Sequence, residues 1–225
     1  NPAGGNTNAV IRNNNVVEPS DAITLNYWSN VQVTNNTFYQ HEGSYGKVAF
    51  LRGTNVGYVW NNNTYFAPAA ILTCPTEQKR APFFAFGSTG SCGGGGALDF
   101  NEWRQATGFD SNSTFNAARP TGKQIIVRSN VYETGRANVT VYNWDLSSTV
   151  TVNLANAGLT AGQRFEVRNV QDYFGPPILP NQTYSEGMTI DLPMIGLSVA
   201  TPIGLSFTPS STGPEFAAFV IVPLN

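Results

Sequence analysis

The chain has 225 residues, enough for one large β domain or two ordinary ones with ample core. Charged residues make up 12% against about a quarter in typical domains, and 41% hydrophobic residues argue against disorder. A net charge of −2 without any run of Lys or Arg argues against nucleic acid, and no apolar run reaches membrane-spanning length.

Residues 1–9 form a polar lead-in with no helix pattern. Three similar lines follow: VIRNNNVV (10–17), VQVTNNTF (31–38) and VGYVWNNNTYF (56–66). Each alternates apolar and outward residues, then places two or three asparagines before an apolar or aromatic residue. Aligning Ile11, Val33 and Val59 gives steps of 22 and 26 residues. A short strand, a polar turn and a repeat in the low twenties predict one coil of a solenoid. Asparagine suits the corner because it tolerates left-handed backbone and can bond the Asn one coil away. Intermediate strands are expected at 22–25 and 47–51, with no helical crossover, which favours a parallel β-helix over an α/β sheet.

In these strands Ile11, Val31, Val33 and Val59 are expected to point inward. Arg12, Thr34 and Trp60 then form one outward column, with Gln32 and Tyr58 in the next. Tyr27, Trp28, Tyr58 and Trp60 thus fall at turns or outward positions on adjacent coils. Flat aromatic faces suit sugar rings, and Arg12 adds a charged contact. The alternative is packing beneath residues 67–96, whose Phe83, Phe84 and Phe86 need partners.

Residues 67–96 break the rhythm and end in four glycines. They contain the chain's two cysteines, Cys74 and Cys92, which flank a loop of 17 residues. With a single histidine, His41, no zinc ligand set exists, and the pair reads as a disulfide of a secreted or surface protein. Sequons at Asn35, Asn62, Asn112, Asn138 and Asn181 point the same way. An internal Asn ladder around Asn36 would leave Asn35 and Asn62 less open to glycosylation than Asn138 or Asn181. Asp99 and Glu102 predict a capping box over a short helix ending near Gly108.

Beyond Pro120 the pattern changes to strands at 124–128, 137–144, 149–154, 163–169, 188–192 and 216–222. Their strict alternation predicts a β-sandwich, giving domains at 1–119 and 120–225. The NN-T-F coils followed by FNEWRQATGFDSNS resemble the closing section of secreted right-handed parallel β-helix repeat proteins. The segments VRSNVYETGRANVTVYNW, GQRFEVRNVQDYFGPP and PEFAAFVIV are similar to the C-terminal β-sandwich of many such proteins and of several glycoside hydrolases. The resemblance implies an all-β fold: the last coils of a right-handed parallel β-helix, then an antiparallel β-sandwich. None of the family's catalytic motifs can be matched residue by residue.

Three places in the sequence could carry chemistry. His41, Glu42 and Lys47, with Arg52, offer a base and a cation of the kind a polysaccharide lyase needs, or simply a solvated turn. Asp99, Glu102 and Asp110 could form a glycosidase pair, but capping and turn roles explain them more cheaply. Asp110-Ser111-Asn112-Ser113 supplies too few carboxylates for calcium, and no cofactor or metal is implied. The reading is a noncatalytic extracellular module, structural or associated with a polysaccharide or cell-surface glycan. The alternatives are the tail of a polysaccharide lyase or glycoside hydrolase, and a self-assembling extracellular filament subunit. The lead-in is too polar to cap a coil, so upstream chain or self-association is expected to cover the open end.

Overall fold

The computed structural model describes residues 5–18, 21–40, 48–53, 55–68, 84–86 and 97–224. Over these described residues it is an all-β structure with one short α-helix, built from parallel sheets and an antiparallel five-stranded sheet. Two compact units divide it, Asn1–Pro120 and Thr121–Asn225.

In the first unit the chain passes repeatedly through the same sheets in the same order. The first pass is β1 (Asn6–Thr7), β2 (Val10–Arg12), β3 (Asn15–Glu18) and β4 (Thr24–Asn26). The second is β5 (Trp28–Ser29), β6 (Gln32–Thr34), β7 (Thr37–Gln40) and β8 (Ala49–Arg52). The third comprises β9 (Val59–Asn61), β10 (Thr64–Phe66) and β11 (Phe84–Phe86). After β12 (Ala97–Leu98) and α1 (Phe100–Thr107), β13 (Thr114–Asn116) joins as a fourth layer. The sheets are β1-β5, β2-β6-β9, β3-β7-β10-β13 and β4-β8-β11-β12, parallel throughout except for β12.

Corners between strands are tight, and asparagine makes them possible. Asn8, Asn13, Asn30, Asn35 and Asn62 all hold φ between 54 and 63°. This left-handed region is one that Asn enters more readily than other side-chain-bearing residues. α1 begins with the expected capping box: the Glu102 amide donates to Asp99 Oδ1 and the Asp99 amide to Glu102 Oε2. It ends at Gly108, whose φ of 73° is the usual left-handed stop.

The register corrects one sequence expectation. β2 and β6 align Ile11 with Val33, as the step of 22 predicts, but β9 places Trp60 above Val33. The second step is therefore 27 residues rather than 26, because the third line carries one asparagine more before its last. A shift by one residue turns a strand inside out. Trp60 is 2% exposed in the core, and Val59 is 53% exposed beside Val10 and Gln32.

The second unit contains β14 (Lys123–Ser129), β15 (Ala137–Asn143), β16 (Thr149–Asn153), β17 (Arg164–Asn169), β18 (Leu179–Thr183), β19 (Thr189–Pro193) and β20 (Phe216–Pro223). Five strands form an antiparallel sheet in the order β14-β15-β20-β17-β18, and β16 pairs with β19. Val139, Val141, Phe165, Val167 and Phe219 of the larger sheet share one core with Val150, Val152, Ile190 and Leu192 of the smaller. β18 has no alternating pattern and contains Pro180, which fits its place as an edge strand.

Candidate functional site

The aromatic corner of the first unit is the surface from which a sugar site would be built. Tyr27 sits between β4 and β5 with φ of 56°, and its amide donates to the Arg52 carbonyl at 3.0 Å. Its ring lies over Gly53, where an added Cβ would come within 2.9 Å of the ring. That glycine holds φ of 92°, so the ring's seat depends on both its missing side chain and its backbone. Tyr27 itself is 53% exposed. Trp28 is half-buried, and its carbonyl accepts the Tyr58 hydroxyl at 3.2 Å.

Tyr58 is also half-buried rather than standing in an outward column. Its ring stacks on Phe109 at 5.9 Å, and burial pushes its hydroxyl above the usual tyrosine value. Trp60 is no surface contact at all: it packs against Trp103 and Phe109. Arg12 is exposed and shares its outward column with Thr34 and Asn61. Of the five proposed sugar contacts, Tyr27 and Arg12 are therefore open, and Trp28 and Tyr58 partly so.

At the corner between β6 and β7 runs a ladder of amides. Asn36 and Asn63 are 2% and 1% exposed. Asn36 Oδ1 accepts both the backbone and the side-chain N–H of Asn14, each at 3.0 Å. Asn63 Oδ1 accepts the same two groups of Asn36, at 3.0 and 3.1 Å. Each ladder amide also donates to a carbonyl of the preceding pass, Asn36 to Ile11 and Asn63 to Val33. Ser113 Oγ takes the next rung, accepting the Asn63 amide at 2.8 Å.

The ladder ends on Asp110, which is fully buried. Oδ1 accepts Asn63 Nδ2 and Ser113 Oγ; Oδ2 accepts the Tyr65 hydroxyl at 3.0 Å and Trp103 Nε1 at 2.9 Å. Tyr65 in turn accepts Trp60 Nε1 at 2.8 Å. Burial pushes the Asp110 carboxyl up from its ordinary value, and the donors from Ser113, Trp103, Asn63 and Tyr65 pull it partly back. Burial and the facing carboxylate push Tyr65 well above the usual tyrosine range. This hub has the form of a structural end-stop: its four donors fill the carboxylate, and the residues around it are buried aromatics. Sequence reasoning found only the turn at Asp110, since Tyr65 and Trp103 carry no spacing signal that points to it.

The remaining candidates divide clearly. Asp99 and Glu102 cap α1. Arg52 lies 4.6 Å over the Phe50 ring. His41, Glu42, Lys47, Cys74 and Cys92 lie outside the described residues. Among the described residues no three metal-binding side chains converge, and no helix is long and apolar enough to cross a membrane. Asn35, Asn62 and Asn112 are exposed, so the ladder buries their neighbours Asn36 and Asn63, and half-buries Ser113, instead of shielding the sequons. Asn138 and Asn181 are likewise exposed, and Asn181 Oδ1 accepts Arg164. The expected difference in accessibility between the two sets of sequons is absent.

No protein-family model, curated protein or solved structure matches the chain.

Proposed function

We propose that the chain is a noncatalytic extracellular module, structural or glycan-associated, formed by the closing coils of a right-handed parallel β-helix and a β-sandwich. The observation that carries the glycan reading is Tyr27, an exposed ring held at a corner by left-handed backbone and a glycine seat. A ring fixed in advance loses little freedom on stacking against a sugar. Arg12, Thr34 and Asn61 offer outward polar groups on a neighbouring sheet of the same unit. Parallel sheets locked from inside by an amide ladder suit a rigid scaffold.

Affinity electrophoresis of the full chain through neutral and acidic polysaccharides tests this reading. The wild type is expected to be retarded by at least one polysaccharide, and Tyr27→Ala to lose that retardation. Equal mobility in all gels, or retardation unchanged in Tyr27→Ala, would overturn it.

A further inference from the structure

The second unit carries a long exposed stretch outside every strand and helix. Residues 194–215 join β19 to β20 without an element of their own. Thr201, Ser206, Thr208, Ser210, Ser211 and Thr212 crowd its far half, with Pro202, Pro209 and Pro214 among them. Exposed segments rich in Ser, Thr and Pro read as acceptors of O-linked sugars. Proline keeps such backbone out of a sheet ladder, and the hydroxyls stay within reach of an enzyme. The stretch is ordered all the same. The Ala200 amide donates to the Gln171 carbonyl, Gln171 Nε2 to the Ser210 carbonyl, and the Thr212 amide to Gln171 Oε1. At the tip the Leu205 amide donates to the Pro202 carbonyl, and the Thr201 and Thr208 hydroxyls bond each other to close the turn.

The hydroxyls divide by what they already bond. Besides the Thr201–Thr208 pair, Thr212 donates to Gln171, Ser211 accepts the Gly213 amide and Ser198 donates to Asp172. Ser206 and Ser210 are exposed, and neither hydroxyl bonds any described residue. Ser206 is flanked in sequence by Leu205 and Phe207, which are 48% and 61% exposed, and Ile203 is fully open. No Asp, Glu, Lys or Arg occurs from 192 to 214 to keep those side chains in water. A plain solvated loop gains nothing from three open apolar side chains with no charge beside them. A bulky hydrophilic group on the intervening serine would cover them.

We propose that Ser206 and Ser210 carry O-linked sugars, attached by a separate glycosyltransferase from a nucleotide-activated sugar. In that step the serine Oγ forms a bond to the anomeric carbon of the sugar. The bond from that carbon to the diphosphate oxygen breaks, and the nucleoside diphosphate leaves. The hydroxyl proton passes to a base of the transferase. The attached sugars bring to the tip the hydration that an uncharged, apolar turn lacks. They rest on the extracellular reading above, but owe nothing to Tyr27 or to any Asn-x-Ser/Thr triplet.

Mass spectrometry of the full chain, purified from the cells that make it, tests this. Cleavage after Glu186 and Glu215 releases residues 187–215, which contain no asparagine, so any sugar on that peptide is O-linked. The peptide is expected to be heavier by whole sugar residues, and electron-transfer fragmentation to place them on Ser206 and Ser210. The variant Ser206→Ala/Ser210→Ala, made in the same cells, is expected to yield the bare peptide. Both side chains are exposed, so its far-UV circular dichroism is expected to match the wild type. A bare wild-type peptide, phosphate in place of sugar, or sugar only on other hydroxyls would overturn the proposal. The location of the chain tells two failures apart. A bare peptide from chain recovered outside the cells sinks the O-linked sugars alone, whereas a bare peptide from chain held inside sinks the extracellular reading as well.

Discussion

Asn36 satisfies five polar groups at one buried position: two N–H groups of Asn14, its own amide, and the partners at Ile11 and Asn63. Replacing it with alanine takes the side-chain donor from buried Asn63 Oδ1 and the partner from the part-buried Ile11 carbonyl and Asn14 amide. Asn36→Ala is expected to cost about 3 kcal/mol, because unsatisfied buried groups cost roughly 1–3 kcal/mol each with partial relaxation. Asn35→Ala, one residue earlier and exposed, loses only the ease of left-handed backbone, about 1 kcal/mol. Urea unfolding of the two variants should separate them in that order.

Asp110 gives this scale a pH signature. Its folded pKa is raised, so the folded state holds the proton more tightly than the unfolded chain. The carboxyl's contribution is therefore most favourable below the ordinary aspartate pKa, and declines as pH rises through the raised folded value. Asp110→Asn removes that step from the stability curve. It also costs about 2 kcal/mol at every pH, because an amide N–H2 must face donors. Denaturation midpoints of wild type and variant across the acid range, plotted as a difference, should slope in this direction.

At the scale of elements, α1 shows what local rules decide. Its capping box and glycine stop were legible from Asp99, Glu102 and Gly108 because each acts on its own neighbours. Asp99→Ala should cost about 1 kcal/mol, the usual price of an N-cap. Trp103→Ala should cost about 3–5 kcal/mol, since the ring is fully buried against Trp60 and Phe84 and bonds Asp110. Thermal melts of the two variants give the comparison. The same locality explains the failures. Alternation in β9 marks two faces without saying which is inward, and only the count of asparagines fixes Trp60 inside. The Asp110 hub joins residues 45 and 47 positions apart, which no window along the chain can bring together. β18 offered neither alternation nor β-branched residues before its closing threonine.

At the scale of the whole molecule, the two units have separate cores. Phe38, Leu51 and Tyr65 belong to one cluster, and Val141, Phe165 and Phe219 to the other. Units with their own cores melt as their own cooperative transitions. Differential scanning calorimetry is expected to resolve two. Phe165→Ala should lower only one of them and Phe38→Ala only the other, each by a destabilisation of about 3–5 kcal/mol. One transition that moves as a whole in both variants would contradict the division.

The corners also bear on how the chain's own lettering is read. At the bends into β7, β10 and β13 an exposed asparagine precedes a rung of the ladder and then the residue that starts the strand. At 35–37, 62–64 and 112–114 that order spells Asn-Asn-Thr, Asn-Asn-Thr and Asn-Ser-Thr. The matching bend of the first pass reads Asn13-Asn14-Asn15, so the geometry favours the first two letters, and a threonine opening the next strand completes the acceptor triplet for N-linked sugars in a vertical file. Adjacent members stand one interstrand spacing apart, about 4.8 Å. A branched glycan on Asn62 would crowd the positions above and below it. The triplets in this unit therefore follow the stacked bends before they are an address for export.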